Sequence, residues 1–271
     1  MPIQPTLPLA FLRHLNSDQP IKWQMDEVGL STAQVWRGAS QKTAAVWYLK
    51  QQATPCLPSD SLLLEAQKLQ YFSGLQLAPR AALVMAAAGQ EHLLLPCAEG
   101  VLLEDLVMSA ADTASQTTAI QAYALILRQI HALPIDACPF SQRLADKIPL
   151  VQARIEAGLI DAEDVAAENP GHDVASLHRE WLSLRPMNED LVVVHGDYTL
   201  SNAFYAPKTG RGQVIDVGRS GVGDRHQDLA IALRELADFG PAAQTLFLQA
   251  YGLAPLDEAK RHFYHLMDEF F

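Results

Sequence analysis

Cysteine is scarce in this chain, and the few cysteines present are far apart. Cys56, Cys97 and Cys138 are the only three in 271 residues, and no two form a C-x-x-C pair. A disulfide framework or a zinc site would need paired or clustered cysteines. The spacing therefore excludes both and is typical of a reducing compartment, so we expect a cytoplasmic protein.

Long apolar runs are also missing. A membrane-spanning helix needs about 20 consecutive apolar residues, and the apolar runs of this chain are all interrupted sooner. The first four residues, Met1 to Gln4, do not show the basic and then apolar pattern of a secretory signal. We therefore expect no membrane partner and no export signal.

Basic residues are outnumbered by acidic ones. The chain has 20 Lys and Arg against 31 Asp and Glu, which gives a formal net charge of -11 at pH 7. Proteins that bind nucleic acid usually carry a basic stripe, and the sequence has none, so we expect no nucleic-acid partner. Acidic groups that converge on one cleft would instead attract polycations.

The spacing of apolar residues changes near residue 100. Before that point, runs rich in β-branched and aromatic residues predict strands at 35–37, 44–50, 82–85 and 92–95, with one helix at 62–72. After it, helical spacing dominates at 120–131, 146–156, 176–184 and from 228 onward, with short strands at 191–194 and 213–215. We predict an N-lobe over residues 1–95, a hinge over 96–100 and a mostly helical C-lobe over 101–271.

The segment that carries the clearest chemical pattern follows the strand at 191–194. From His195 to Asn202 it has the spacing H-x-D-x-x-x-x-N of a kinase catalytic loop. Phosphoryl transfer needs a carboxylate to accept or orient the proton of the attacking hydroxyl, and an oxygen ligand for Mg²⁺. Asp197 and Asn202 supply these groups. Taken alone, the H-G-D tripeptide could also be polar loop residues at a strand end, although the functional interpretation is favoured.

A second motif lies 14 residues beyond Asn202. Asp216 begins a D-x-G sequence after a strand, where a kinase places its second Mg²⁺ ligand. A lone D-x-G is more often an ordinary turn. Its pairing with the upstream motif favours the metal site.

Upstream, Lys50 ends a predicted strand and Glu65 lies on the helix that follows. In kinases a lysine at this place binds the nucleotide phosphates and a helix glutamate aims it. Each residue alone is typical of a protein surface, and it is their order along the chain that indicates a kinase. The G-x-G-x-x-G loop of kinases is missing. Ser31 and Thr32, in the loop at 29–33, could bind phosphate instead.

The segment from Val192 to Asp228, with its H-G-D, I-D-V-G-R and G-D-R-H-Q-D sequences, closely resembles the aminoglycoside 3'-phosphotransferases. The likeness extends to the D-E-F-F sequence at 268–271, and more loosely to the first hundred residues. It implies an α+β, bilobal, protein-kinase-like fold with a small antiparallel-sheet N-lobe that has one key helix. It also implies Mg²⁺-dependent transfer of the γ-phosphate of ATP to the 3'-hydroxyl of kanamycin- or neomycin-type antibiotics.

The resemblance also implies roles for individual residues. Asp197 would be the catalytic carboxylate, Asn202 and Asp216 the metal ligands, and Lys50 a phosphate ligand. The hinge residues Pro96, Cys97 and Ala98 would meet the adenine. The residues implied for antibiotic binding are Asp161, Glu163, Asp164, Arg219, Arg234, Asp238, Asp268, Glu269 and the carboxylate of Phe271.

Those acidic residues suit a polycationic substrate, because ammonium groups bind carboxylates. The run at 161–168, taken alone, could also be a solvated helix end. Two arginines look out of place beside a cationic ligand. We expect Arg219 to contact phosphate or the Asp197 carboxylate, and Arg234 to organise acidic neighbours.

Several alternatives remain open at this stage. A related kinase for another alcohol or amino sugar would keep the same motifs, and so could a nucleotide-binding pseudokinase. Residues 198–201 differ from the usual family sequence between the Asp and the Asn, which we interpret as tuning of the loop. A metal hydrolase would need a third ligand beside His262 and His265. We expect His195 to brace the catalytic loop by hydrogen bonds, and a monomer is the default.

Overall fold

The computed structural model describes residues 4–15, 21–26, 33–41, 43–253 and 255–271. The helices are α1 (Leu9–His14), α2 (Leu62–Gly74), α3 (Leu103–Met108), α4 (Thr113–His131), α5 (Leu144–Glu156), α6 (Ala162–Glu168), α7 (Val174–Ser183), α8 (His226–Glu235), α9 (Pro241–Tyr251) and α10 (Glu258–Asp268). The strands are β1 (Ile21–Asp26), β2 (Gln34–Ser40), β3 (Val46–Ala53), β4 (Leu83–Ala87), β5 (Gln90–Pro96), β6 (Val101–Leu102), β7 (Leu191–Val194), β8 (Ala203–Ala206), β9 (Arg211–Val214) and β10 (Gly221–Asp224).

The chain divides into two compact units that are not contiguous in sequence. The first unit comprises Met1–Gly100 and Ala206–Gly218, and the second comprises Val101–Tyr205 and Arg219–Phe271. The predicted lobes were single segments, but residues 206–218 belong to the first unit. Hydrogen bonds that hold them there include those from the Val214 N–H to the Leu77 carbonyl (2.8 Å) and from the Glu99 N–H to the Gln213 side chain (2.8 Å).

An antiparallel sheet forms the centre of the first unit, with strand order β1-β2-β3-β5-β4. On β3, Leu49 is fully buried in a core with four other buried residues, Phe11, Trp23, Trp36 and Leu94. Because side chains alternate across a strand, Lys50 extends from the opposite face. The alternation thus frees this lysine to meet groups outside the core.

Helix α2 starts where its sequence predicts. The Ser61 hydroxyl caps it by accepting the Leu64 N–H at 3.3 Å, and the Glu91 carboxylate accepts the Leu63 N–H at 3.1 Å. The helical period places Glu65 and Lys68 on its buried side with the apolar residues. Two charged side chains are therefore held at fixed places on this helix.

Helices dominate the second unit. One cluster of its core comprises the buried residues Leu144, Val151, Val165, Leu177, Trp181, Ala230, Phe263, Tyr264, Leu266, Met267 and Phe270. Strand β7 pairs with β10 in antiparallel register, with Val194 opposite Gly221. The loop that begins at His195 therefore leaves a fixed strand end.

The predicted fold class agrees with the structure, and the elements that were predicted differ from the observed ones mainly at their ends. The strand expected at 44–50 is β3 at 46–53, and the one expected at 213–215 is β9 at 211–214. Strands β1, β6, β8 and β10 and the short helices α1 and α3 were not predicted, and α1 gives the first unit a second helix. Within the part of the chain that the structure describes, no helix combines the length and apolarity needed to cross a membrane.

Candidate active site

Three charged residues from distant parts of the sequence meet in the first unit. The Lys50 ammonium lies 2.8 Å from Glu65 Oε1 and also forms a direct ion pair with the Asp216 carboxylate. The Lys50 and Glu65 side chains are only 13% and 7% exposed, whereas Asp216 is 40% exposed. Burial weakens solvent screening and so strengthens these ion pairs. Together they hold the Lys50 ammonium beside Asp216, the carboxylate that sequence analysis assigned to the metal.

The turn that holds Asp216 has an unusual backbone and is tied to helix α2. Asp216 adopts a φ of 57°, in the left-handed region that few residues other than glycine occupy. Two residues later, the Gly218 carbonyl accepts a hydrogen bond of 2.6 Å from Lys68, which is 3% exposed. Sequence analysis did not single out Lys68, although a lysine on the buried side of an amphipathic helix is a usable signal.

The predicted hinge begins at Pro96, the last residue of β5. The Cys97 N–H donates to the Val46 carbonyl at 3.2 Å, so the chain beyond β5 still pairs with the start of β3. Pro96 is half-buried, Cys97 is exposed and Ala98 is buried. Adenine binding here stays a prediction. Ser31 and Thr32 lie outside the described residues.

The candidate catalytic loop lies in the second unit. The Asn202 Nδ2 donates to both the Asp197 carbonyl (3.0 Å) and Asp197 Oδ2 (3.1 Å). The Asp197 N–H donates to His195 Nδ1 at 3.3 Å, and His195 is fully buried. His195 thus accepts a hydrogen bond from the main chain of the loop, and Asn202 orients the Asp197 carboxylate.

The fully buried Asp228 carboxylate accepts hydrogen bonds from the start of this loop. Asp228 accepts the His195 N–H and the Gly196 N–H, both at 2.7 Å, and lies 2.9 Å from His131 Nε2. Buried main-chain N–H groups need such acceptors. Asp228 was noted only as part of the D-R-H-Q-D sequence, and its role depends on contacts that the sequence does not display.

Gly196 is required at its position. Its φ is 89°, and a Cβ atom there would overlap the carbonyl oxygen of Arg219. Only glycine combines this backbone with so close an approach. The close packing of the H-G-D segment against the I-D-V-G-R segment thus explains why this position is a glycine. Sequence analysis assigned both segments to the site.

Glu235, on helix α8, is a further acidic neighbour of the loop. Its carboxylate accepts the Leu200 N–H at 3.2 Å. Burial raises the pKa of Glu235. Hydrogen bonding to Leu200 and the charge of Arg234 lower it, while Glu104 and Asp197 raise it. Sequence analysis missed this residue, which lies next to the predicted Arg234.

The acidic residues near the end of the chain are organised by an arginine. Arg234 NH2 lies 2.6 Å from Asp268 Oδ2, and its NH1 lies 3.9 Å from Glu269 Oε1. Burial raises the pKa of Glu269. Arg234 opposes the rise, and the charges of Asp268 and Glu168 add to it. Glu168 and Glu269 therefore lie within electrostatic reach of each other, so two acidic segments separated by about a hundred residues do approach.

Arg219 is placed differently from our expectation. Its NH2 donates to the Phe271 main-chain oxygen at 2.9 Å, and its NH1 lies 3.8 Å from Asp268 Oδ1. Arg154 also donates to that oxygen at 3.2 Å, and the Lys147 ammonium lies 4.2 Å from the centre of the Phe271 ring. We expected Arg219 at phosphate or at Asp197; the structure shows contacts with the segment 268–271, and a contact of Arg219 with phosphate stays a prediction.

The remaining predicted residues are exposed. Asp161 caps α6 by accepting the N–H groups of Glu163 (2.8 Å) and Asp164 (3.2 Å). Asp238 lies in the short turn that follows α8. Their geometry is that of a solvated helix start and a turn, and their role in binding stays a prediction.

The family comparison covers most of the chain. The model of the phosphotransferase enzyme family (APH) matches residues 23–264. An aminoglycoside 3'-phosphotransferase from Escherichia coli is 30% identical over 250 residues, which are 92% of this chain and 90% of that protein. One from Streptomyces fradiae is 42% identical over 158 residues, 56% of this chain and 59% of that protein.

A solved structure agrees with these matches. The crystal structure of an aminoglycoside-3'-phosphotransferase of type VIII superposes with a TM-score of 0.80 at 32% identity. The superposition covers 96% of this chain and 97% of the other.

Proposed function

Because this chain belongs to the phosphotransferase enzyme family, we propose that it transfers the γ-phosphate of ATP to the 3'-hydroxyl of kanamycin- or neomycin-type aminoglycosides and so inactivates them. The observation that carries this proposal is the 30% identity to an aminoglycoside 3'-phosphotransferase over 92% of the chain. The family match spans Lys50, Glu65, Asp197, Asn202 and Asp216, which we assign to chemistry and to phosphate and metal binding.

Asp197 is the catalytic carboxylate in this proposal. It orients the antibiotic hydroxyl in line with the phosphorus and accepts its proton. The Asn202 amide, 3.1 Å from Asp197 Oδ2, restricts the carboxylate to one orientation. Phosphoryl transfer depends mainly on such positioning and on charge stabilisation.

The donor set suits Mg²⁺. Asn202 uses its amide nitrogen for Asp197, which leaves the amide oxygen as its ligand atom. Mg²⁺ prefers oxygen ligands from one or two side chains, completed by phosphates and water. Asn202 and Asp216 would hold the ion, and the bound ion would neutralise phosphate charge. Among the described residues, no cluster of three or more His, Cys, Asp or Glu side chains is arranged to hold a metal ion by itself.

Lys50 binds the nucleotide phosphates in this proposal. Its ion pair with Glu65 fixes the ammonium near the Asp216 carboxylate. Because Glu65 and Asp216 both hold the Lys50 ammonium, this group needs no large rearrangement to contact phosphate oxygens. Pro96, Cys97 and Ala98 contact the adenine, and Ser31 and Thr32 complete the phosphate site.

The acidic residues bind the cationic antibiotic. Arg234 holds Asp268 and Glu269 in place. We assign antibiotic binding to these two residues and also to Phe271, Asp161, Glu163, Asp164 and Asp238. The net charge of -11 favours approach of a polycation. The arginines Arg219 and Arg234 act by fixing these acceptors. We further propose a cytoplasmic monomer without a nucleic-acid partner.

Analysis of the reaction product tests this proposal. Kanamycin incubated with Mg²⁺-ATP and the purified protein should gain one phosphate by mass, and phosphorus–proton correlation should place it on the 3' oxygen, through coupling to the proton at the 3' position. Phosphate on another hydroxyl would make the chain a related kinase of different regiochemistry. Nucleotide binding without any product would favour the pseudokinase.

A further inference from the structure

Two buried tyrosines in the second unit bind each other's main chain. The Tyr123 hydroxyl donates to the Tyr198 carbonyl at 2.5 Å, and the Tyr198 hydroxyl donates to the Tyr123 carbonyl at 2.7 Å. Their rings stack with centroids 4.6 Å apart and planes 8° apart. Both side chains are fully buried, so the pair forms a closed, dry contact.

The pair lies directly beside the catalytic carboxylate. Tyr198 follows Asp197 and begins the segment 198–201, which departs from the usual family sequence. On either side of it, the Asp197 carbonyl is bound by Asn202 and the Leu200 N–H by Glu235. The Tyr198 carbonyl is bound from helix α4 by Tyr123, so this contact fixes the peptide group between Tyr198 and Thr199, the second one after the catalytic residue.

Tyr123 is itself held firmly. It lies within the 19-residue helix α4, and its ring packs against Phe247 of α9 at 5.4 Å between centroids. Burial raises the pKa of both phenols well above the ordinary value. Each hydroxyl therefore stays protonated, and able to donate, at any pH where the protein works.

We propose that Tyr123 is a positioning residue for phosphoryl transfer, acting through its hydrogen bond to the Tyr198 carbonyl to hold the main chain that directs Asp197. The proposal rests on the proposed function, because it assigns Asp197 to catalysis. In this proposal the Tyr123–Tyr198 contact positions the catalytic loop in addition to stabilising the core.

The two hydroxyls are not equivalent in this account. Loss of the Tyr123 hydroxyl leaves a loop carbonyl buried without its donor. Loss of the Tyr198 hydroxyl frees a carbonyl inside α4, where the N–H four residues later can still bind it. The two Tyr→Phe changes remove the same atoms and keep the stacking, yet the loop should respond mainly to the first.

The test compares Tyr123→Phe, Tyr198→Phe and the double variant with a matched control. Tyr264→Phe is that control, because this buried hydroxyl has no hydrogen-bond partner among the described residues. We expect Tyr123→Phe to lower kcat by about tenfold without changing KM for ATP. Tyr198→Phe should have a smaller effect, the double variant should match Tyr123→Phe, and the control should match wild type.

Hydrogen exchange of the peptide 196–203 gives a readout independent of turnover. Exchange should be faster in Tyr123→Phe than in wild type and the Tyr264→Phe control. An unchanged kcat in Tyr123→Phe, whatever its melting temperature, would overturn the proposal. If the wild-type protein phosphorylates no aminoglycoside, the proposed function fails separately. Exchange then decides alone: faster exchange supports the loop contact, and unchanged exchange overturns it.

Discussion

The Lys68 ammonium lies 2.6 Å from the Gly218 carbonyl oxygen, so helix α2 is bonded directly to the turn that follows Asp216. The same helix carries Glu65, which pairs with Lys50, and Lys50 in turn pairs with Asp216. One helix therefore holds the lysine and the carboxylate that we assign to phosphate and metal. A shift of α2 would disturb both.

Replacement of Lys68 should weaken the response to magnesium. Lys68→Met removes the donor that holds the turn after Asp216, and we expect the Mg²⁺ concentration for half-maximal rate to rise by about tenfold. Lys68→Arg keeps a donor and should restore part of the loss. Gln67→Met, on the exposed side of the same helix, is the matched control. An unchanged magnesium response in Lys68→Met would contradict this role.

Gly196 should tolerate no side chain. Gly196→Ala combines a left-handed backbone, which costs alanine about 1–2 kcal/mol, with overlap of the new Cβ and the Arg219 carbonyl. Gly210→Ala isolates the first effect, since Gly210 has a φ of 70° and open space around its Cβ. In urea unfolding, we expect Gly196→Ala to lose at least about 2 kcal/mol more than Gly210→Ala. Equal losses would show that the close approach does not matter.

Asp228 should be essential for loop geometry. Asp228→Asn places an amide NH₂ against at least one of the N–H groups that the carboxylate now accepts, so a buried donor loses its partner. We expect a stability loss of about 1–3 kcal/mol and a clear fall in kcat, measured by unfolding and by ADP release. Asp257→Asn is the control, because this exposed helix cap is replaced by an equally good one. Wild-type kcat in Asp228→Asn would count against the account.

Glu269 should link antibiotic binding to pH. Burial raises its pKa, so the carboxylate loses its charge at a higher pH than an ordinary glutamate. As the pH falls, KM for kanamycin should therefore begin to rise at a higher pH than it would with an ordinary glutamate at this position. Glu269→Gln should remove this contribution to the pH dependence of KM. The folded state binds more protons than the unfolded state in this window, so this group's contribution to stability falls as pH rises. Glu269→Gln should thus raise KM at neutral pH without lowering the melting temperature; a variant with unchanged KM would remove Glu269 from the binding site.

Local patterns predicted much of the fold and the chemical residues. The catalytic loop follows a short apolar strand, and β7 coincides with the predicted 191–194. Lys50 and Glu65 were paired from their order on a strand and the next helix, and the structure contains that ion pair. The strand follows from its apolar run, which a single sequence displays directly, and the ion pair was predicted from the order of the motifs that kinases share.

The supporting contacts could not be predicted in the same way. Lys68 and Gly218 are 150 residues apart in sequence, and Tyr123 and Tyr198 are 75 apart. Such pairs are set by how helices and loops pack, which periodicity does not encode. Arg219 illustrates the limit: its neighbour Asp216 suggested phosphate, whereas the fold places it against Phe271 and Asp268.

A coupled ADP-release assay tests the central claim most directly. Purified protein with Mg²⁺-ATP would be given kanamycin or tobramycin, which lacks the 3'-hydroxyl, with Asp197→Ala measured in parallel. The account predicts ADP release with kanamycin only, and none from the variant. Equal release with both antibiotics, or full activity in Asp197→Ala, would contradict it.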